Sequence, residues 1–144
     1  MPLLLMFKVW FVTLLAFLTM DFTWIGLIAN GFYKSEMGDL LRKNGDNLAP
    51  LWGPALLLYV LMVAGLVVFV LPRLTQGAGV LQALAYGAFF GLVLYSVYDL
   101  TSYSLMANWS LKMTIIDMIW GSVLCGVSSV VMFLAYKFLS GGTL

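Results

Sequence analysis

Histidine is absent from this 144-residue sequence. That removes the commonest general base at neutral pH and the commonest ligand of zinc, copper and iron. Cysteine occurs once, as Cys125, so no internal disulfide can form. Charge is equally scarce: 7 Lys and Arg with 6 Asp and Glu make 9% of the chain, where a soluble domain averages about 25%. A balance of +1 gives no basic surface for nucleic acid. No metal-ligand set or cofactor motif is present, so no cofactor is expected.

What remains is apolar: 63% of residues are hydrophobic and the mean hydropathy is +1.05. Four apolar runs, at about 3–30, 51–71, 80–106 and 113–139, each reach the ~20 residues that cross a bilayer. The reading is one all-α integral membrane domain over residues 1–144, a membrane-embedded four-helix bundle whose first partner is the lipid bilayer. Lys8 follows a short apolar stretch, but no small-residue cleavage site comes after it and the run continues past Asp21, so the first span reads as an uncleaved helix. Asn30-Gly31 reads as its stop.

Residues 32–49 hold Lys34, Glu36, Asp39, Arg42, Lys43 and Asp46. Tyr33, Met37, Leu40 and Leu41 fall at i, i+4, i+7 and i+8, which predicts a short interfacial amphipathic helix between the first two spans, ending at Asn44-Gly45. Pro72-Arg73 closes the second span and 75–79 read as a turn. In the third, Ala83, Gly87 and Gly91 repeat every four residues, the small-residue pattern that lets membrane helices approach closely. Trp10, Trp52 and Trp109 read as interfacial anchors.

Residues 21–30 (DFTWIGLIAN) and 99–108 (DLTSYSLMAN) align without a gap at a constant offset of 78, with five of ten positions identical. Both copies end a span running in the same direction, which predicts two similar helical hairpins. Thr23 and Thr101 read as bonding back to an earlier carbonyl, and Asn30 and Asn108 as helix caps.

The carboxylates inside the spans carry the functional reading. Asp21, Asp99 and Asp117 each lie nine residues from a turn, roughly 13 Å along a helix from the same membrane face. Tyr59 falls at the same level on the second span. An aspartate within a span costs roughly 2.5–3.5 kcal/mol to insert and by default marks a site. Clustered in low dielectric the three cannot all ionise, so they read as a proton store, a hard-cation site or an acid/base pair. Tyr95, Ser96, Ser102 and Tyr103 share a helical face with Asp99, and Thr114 and Gly121 share one with Asp117. Trp24 and Trp120, each three residues after an aspartate, are placed to wall a pocket.

The motifs Asp21-x-x-Trp24-x-Gly26, Tyr98-Asp99-Leu100-Thr101 and Asp117-x-x-Trp120-Gly121 resemble those of the membrane family known as domain of unknown function 2177. The resemblance covers nearly the whole chain and implies a bacterial inner-membrane protein. It assigns no activity.

Three functions follow from the residues. The first is a binding protein or small transporter whose carboxylates hold a proton, a hard cation or a cationic or lipid-like amphiphile, with a homodimer if a path crosses the bilayer. The second is a lipid-modifying enzyme using one aspartate as acid and another as base. The third is a structural or accessory subunit whose aspartates pair helices.

Overall fold

The computed structural model describes residues 2–74 and 77–142. Helix α1 (Leu3–Thr23) runs into a wider π turn (Trp24–Ile28), and after Ala29 the short helix α2 (Asn30–Met37) begins. A 3-10 turn (Gly38–Leu40) leads into a small hairpin of β1 (Lys43–Asn44) and β2 (Asn47–Leu48). Helix α3 (Trp52–Gly65) continues through a π turn (Leu66–Val70) and a 3-10 turn (Leu71–Arg73). Helices α4 (Val80–Leu105) and α5 (Leu111–Leu139) complete the chain.

Four helical stretches, Leu3–Ile28, Trp52–Arg73, Val80–Leu105 and Leu111–Leu139, are long and apolar enough to cross a membrane. Their outer faces carry bare hydrocarbon such as Leu27, Leu81 and Phe138, while their backbone polar groups are spent within the helices, as a bilayer requires. The protein is an integral membrane protein of the all-α class.

Helix α5 is the centre of the bundle. It buries Met113, Thr114, Asp117, Gly121, Leu124, Cys125, Gly126, Ser128, Ser129, Met132 and Phe133, and packs against α4 on one side and α1 on the other. Small residues set the α4–α5 distance. A methyl group on Gly91 would run into the Gly121 carbonyl, and one on Gly87 into Ser129 Oγ, so the two backbones meet at van der Waals range. Cys125 fills the core beside them. Helix α3 leans on α1, and the second span reaches α4 and α5 mainly through residues 66–73. The two hairpins therefore pack differently: α4 lies tightly on α5, whereas α1 shares more of its surface with α5 than with α3.

The segment after the first span departs from the expected single amphipathic helix. Helix α2 stops at Met37, and Gly45-Asp46 form the two-residue turn of the hairpin, with Gly45 at φ 61°, Asn44 paired to Asn47 and Lys43 to Leu48. A glycine of positive φ at the first of two turn positions is a local signal for such a hairpin, and here it outweighs the helical spacing of Leu40 and Leu41. Asn30-Gly31 likewise does not stop the helical path. Ala29 is the joint, its N–H bonding the Trp24 carbonyl at 2.7 Å, and α2 starts at Asn30. Part of the expected turn at 75–79 lies outside the described residues, which omit Thr75 and Gln76.

Candidate functional site

Asp21, near the end of α1, is buried and accepts two hydrogen bonds. The Tyr59 hydroxyl of α3 donates to Oδ2 at 2.6 Å, and the Trp120 indole N–H of α5 donates to Oδ1 at 2.8 Å. One carboxylate thus ties three helices together. Tyr59 holds the level on α3 that counting residues from the turns assigns to it.

Asp117 lies one turn before Trp120 on α5. Its Oδ1 accepts a hydrogen bond from the Tyr33 hydroxyl of α2, and Tyr33 in turn accepts from the Trp24 indole N–H at 3.2 Å. Burial and the neighbouring Asp117 both push the Tyr33 hydroxyl well above the ordinary phenol range, so it stays a donor at physiological pH. Asp99 on α4 meets Asp117 side chain to side chain. It is 0% exposed, and among the described residues no N–H or O–H donates to either of its oxygens.

The three aspartates therefore form two groups: Asp21 with Tyr59 and Trp120, and Asp99 with Asp117 and Tyr33. The stacked Trp24 and Trp120 rings join them, centroids 4.5 Å apart and 10° from parallel. Among the described residues no three acidic, histidine or cysteine side chains converge as a metal site: Asp21 is held by Tyr59 and Trp120, whereas Asp99 meets Asp117. No lysine or arginine ion-pairs with any of the three among the described residues.

Beside these groups lies a cavity of about 460 Å³. Asp21, Asp117, Tyr33, Tyr59, Tyr95, Tyr98 and Trp120 supply its polar and aromatic lining, and Ile25, Leu58, Met62, Leu94 and Met113 much of the rest. Met37 of α2, Leu41 and Leu48 of the hairpin complete the lining. Leu58 on α3 and Tyr98 on α4 line the cavity yet are 54% and 53% exposed, so it opens sideways between those helices toward the face that lipid covers.

Some residues expected at the site stand elsewhere. Ser102 is buried but does not line the cavity, and Tyr103 is 45% exposed. Helix α4 packs on one neighbour here, so only the stripe through Ala83, Gly87, Gly91, Asp99 and Ser102 is covered, and Tyr103, about 40° round from Asp99, falls outside it. Ser96 bonds back to the Leu92 carbonyl. Trp24 does not line the cavity and backs Trp120 instead. Trp109 is not an exposed anchor: it is 7% exposed, packs with Ala29, Tyr33 and Met113, and donates to Thr114 Oγ1 at 3.0 Å. Tyr33 and Tyr98 join the site without being expected there. The signal for Tyr33 is its place on the apolar face of the segment after the first span.

Fold and site together define a four-span helical membrane protein with carboxylates bonded across its helices. The chain belongs to the family described as predicted membrane protein DUF2177, which matches residues 6–134. No curated protein and no solved structure matches it.

Proposed function

We propose that the protein binds a cationic amphiphile within the membrane, its head group at Asp117 and Asp21 and its hydrocarbon chain leaving between α3 and α4. The cavity carries this reading: it sets two carboxylates among apolar side chains and opens toward lipid. A cationic head would supply the positive charge that no lysine or arginine provides there. The rings of Tyr95, Tyr98 and Trp120 in the lining add faces that attract a cation, worth about 0.5–2 kcal/mol each. Metal binding is less well supported, since the three aspartates divide into two groups.

The roles of the carboxylates differ in this reading. Asp21 has both oxygens engaged by α3 and α5 and chiefly holds the pocket's shape, which is the share of the structural hypothesis that the hydrogen bonds favour. Asp117 has one oxygen on Tyr33 and faces the cavity. A bacterial inner membrane is the setting the family resemblance implies, and an all-helical four-span chain suits it better than an outer membrane built around β-barrels.

The test is native mass spectrometry of protein taken from its own membrane, with dodecyltrimethylammonium binding in nanodiscs as a second readout. Wild type should retain an amine-bearing amphiphile and take up the probe, and a folded Asp117→Asn variant should lose both. Wild-type protein that carries no amphiphile and takes up no probe would overturn the reading.

A further inference from the structure

Asp99 has no role in lining the cavity. It sits behind Asp117, fully buried, with no donor for either oxygen among the described residues. A bare carboxylate in such a place would carry an uncompensated charge, which a protein interior does not tolerate. Its contact is another carboxyl, and two carboxyls hydrogen-bond only when one of them holds a proton. Asp117 already accepts from Tyr33, so charge is better placed there than on Asp99.

We infer that Asp99 carries a proton which it donates to Asp117, and that the charge this fixes on Asp117 is the one a cation binds in the cavity. The second half rests on the ligand reading above; the first does not. The exchange balances at Asp117: on acidification its carboxylate takes a proton from water and releases the cation, while Asp99 keeps its own proton. Asp21 from α1, Tyr33 from α2, Tyr59 from α3 by way of Asp21, and Tyr95 and Tyr98 from α4 surround the pair, and none of these can bring a positive charge. Proton and cation therefore compete. Asp99 acts here as a positioning residue, its O–H holding the charge of the pair on Asp117.

Infrared spectroscopy of the ligand-free protein in nanodiscs tests the first half. Wild type should show a carboxylic-acid C=O band at neutral pH that Asp99→Asn removes and Asp21→Asn leaves in place. Absence of that band in wild type, or its survival in Asp99→Asn, would overturn the proton assignment. For the exchange, the affinity of wild type for dodecyltrimethylammonium should fall on acidification by up to about tenfold per pH unit, the limit for one proton against one cation. An asparagine amide in place of the Asp99 carboxyl donates an N–H to Asp117 as the Asp99 O–H does, so the Asp99→Asn variant should bind the probe with the pH dependence of wild type. Wild-type binding that ignores pH would overturn the exchange. An acid band that behaves as expected, with no probe binding at all, would keep the proton on Asp99 and remove both the exchange and the ligand reading.

Discussion

The indole rings of Trp24 and Trp120 stack at 4.5 Å, and each sends its N–H toward the other helix's aspartate. Trp120 on α5 donates to Asp21 on α1 at 2.8 Å. Trp24, at the end of α1, donates to Tyr33 at 3.2 Å, and Tyr33 donates to Asp117 on α5. The two Asp-x-x-Trp motifs are thus reciprocal, each tryptophan serving the carboxylate of the opposite helix. Four side chains and one tyrosine hydroxyl hold the antiparallel α1–α5 pair in register at the level of the cavity.

Trp120→Phe should keep most of the stacking area while leaving Asp21 Oδ1 without its donor. Hydrogen bonds between membrane helices average about 0.6 kcal/mol and reach about 1.7, and a buried carboxylate as acceptor puts this one toward the upper end. Trp24→Phe, whose bond at 3.2 Å ends on a neutral hydroxyl, should cost less. Cys125 provides the measurement. It is the sole cysteine and fully buried, so a thiol-reactive fluorogenic dye reports unfolding on heating.

Gly91→Ala should be far more damaging than its single methyl suggests. The added Cβ would meet the Gly121 carbonyl, and backbone cannot turn aside as a side chain can. Overpacking costs about 1–3 kcal/mol, and a backbone clash between the two tightest helices belongs at or above the top of that range. Gly26→Ala is the matched control, with nothing within 4 Å of its added methyl. The same dye assay should show a large drop for the first and little change for the second.

Ser110 should matter more than Lys112, although both connect α5 to Glu36. Ser110 caps α5 by accepting from the Met113 N–H at 3.2 Å and donates its hydroxyl to Glu36, so Ser110→Ala loses about 0.5–2 kcal/mol of cap alone. Lys112 is 67% exposed and 3.8 Å from Glu36, the geometry of a surface pair worth under about 1 kcal/mol. Unfolding midpoints that rank the two variants the other way would refute the assignment.

Tyr33 should fail to titrate in the ordinary phenol range. Its hydroxyl is raised by burial first and by Asp117 second, so the stabilisation from its neutral form is complete below about pH 10 and is lost only as pH rises through the higher folded value. An alkaline titration followed by tyrosinate absorbance, wild type minus Tyr33→Phe, isolates this one group. The difference should be flat through about pH 10 and rise only beyond it. A normal phenol transition in the difference curve would mean that Tyr33 is not held against Asp117.

Much of this bundle is legible along the chain. The stripe of Ala83, Gly87 and Gly91 announces a close helix contact because small side chains at four-residue spacing have few other uses in lipid. The common level of Asp21, Asp99, Asp117 and Tyr59 follows from counting residues from the turns, since helical rise is fixed by backbone geometry. Tyr33 and Trp109 are harder. Both read as lying at a membrane surface, and both are buried because the joint at Ala29 folds α2 over the start of α5.

The chain by itself determined four membrane-spanning helices and a shared depth for three carboxylates, because hydropathy and rise accumulate residue by residue. Only the tertiary structure decided how those carboxylates divide. Asp21 turned to Tyr59 and Trp120, and Asp99 turned to Asp117, because the rotation of each helix about its own axis is set by the neighbours it packs against. The cavity between α3 and α4 has the same origin. It exists because α3 leans on α1 while α4 and α5 are reached mainly through residues 66–73, a choice of packing that no local pattern records.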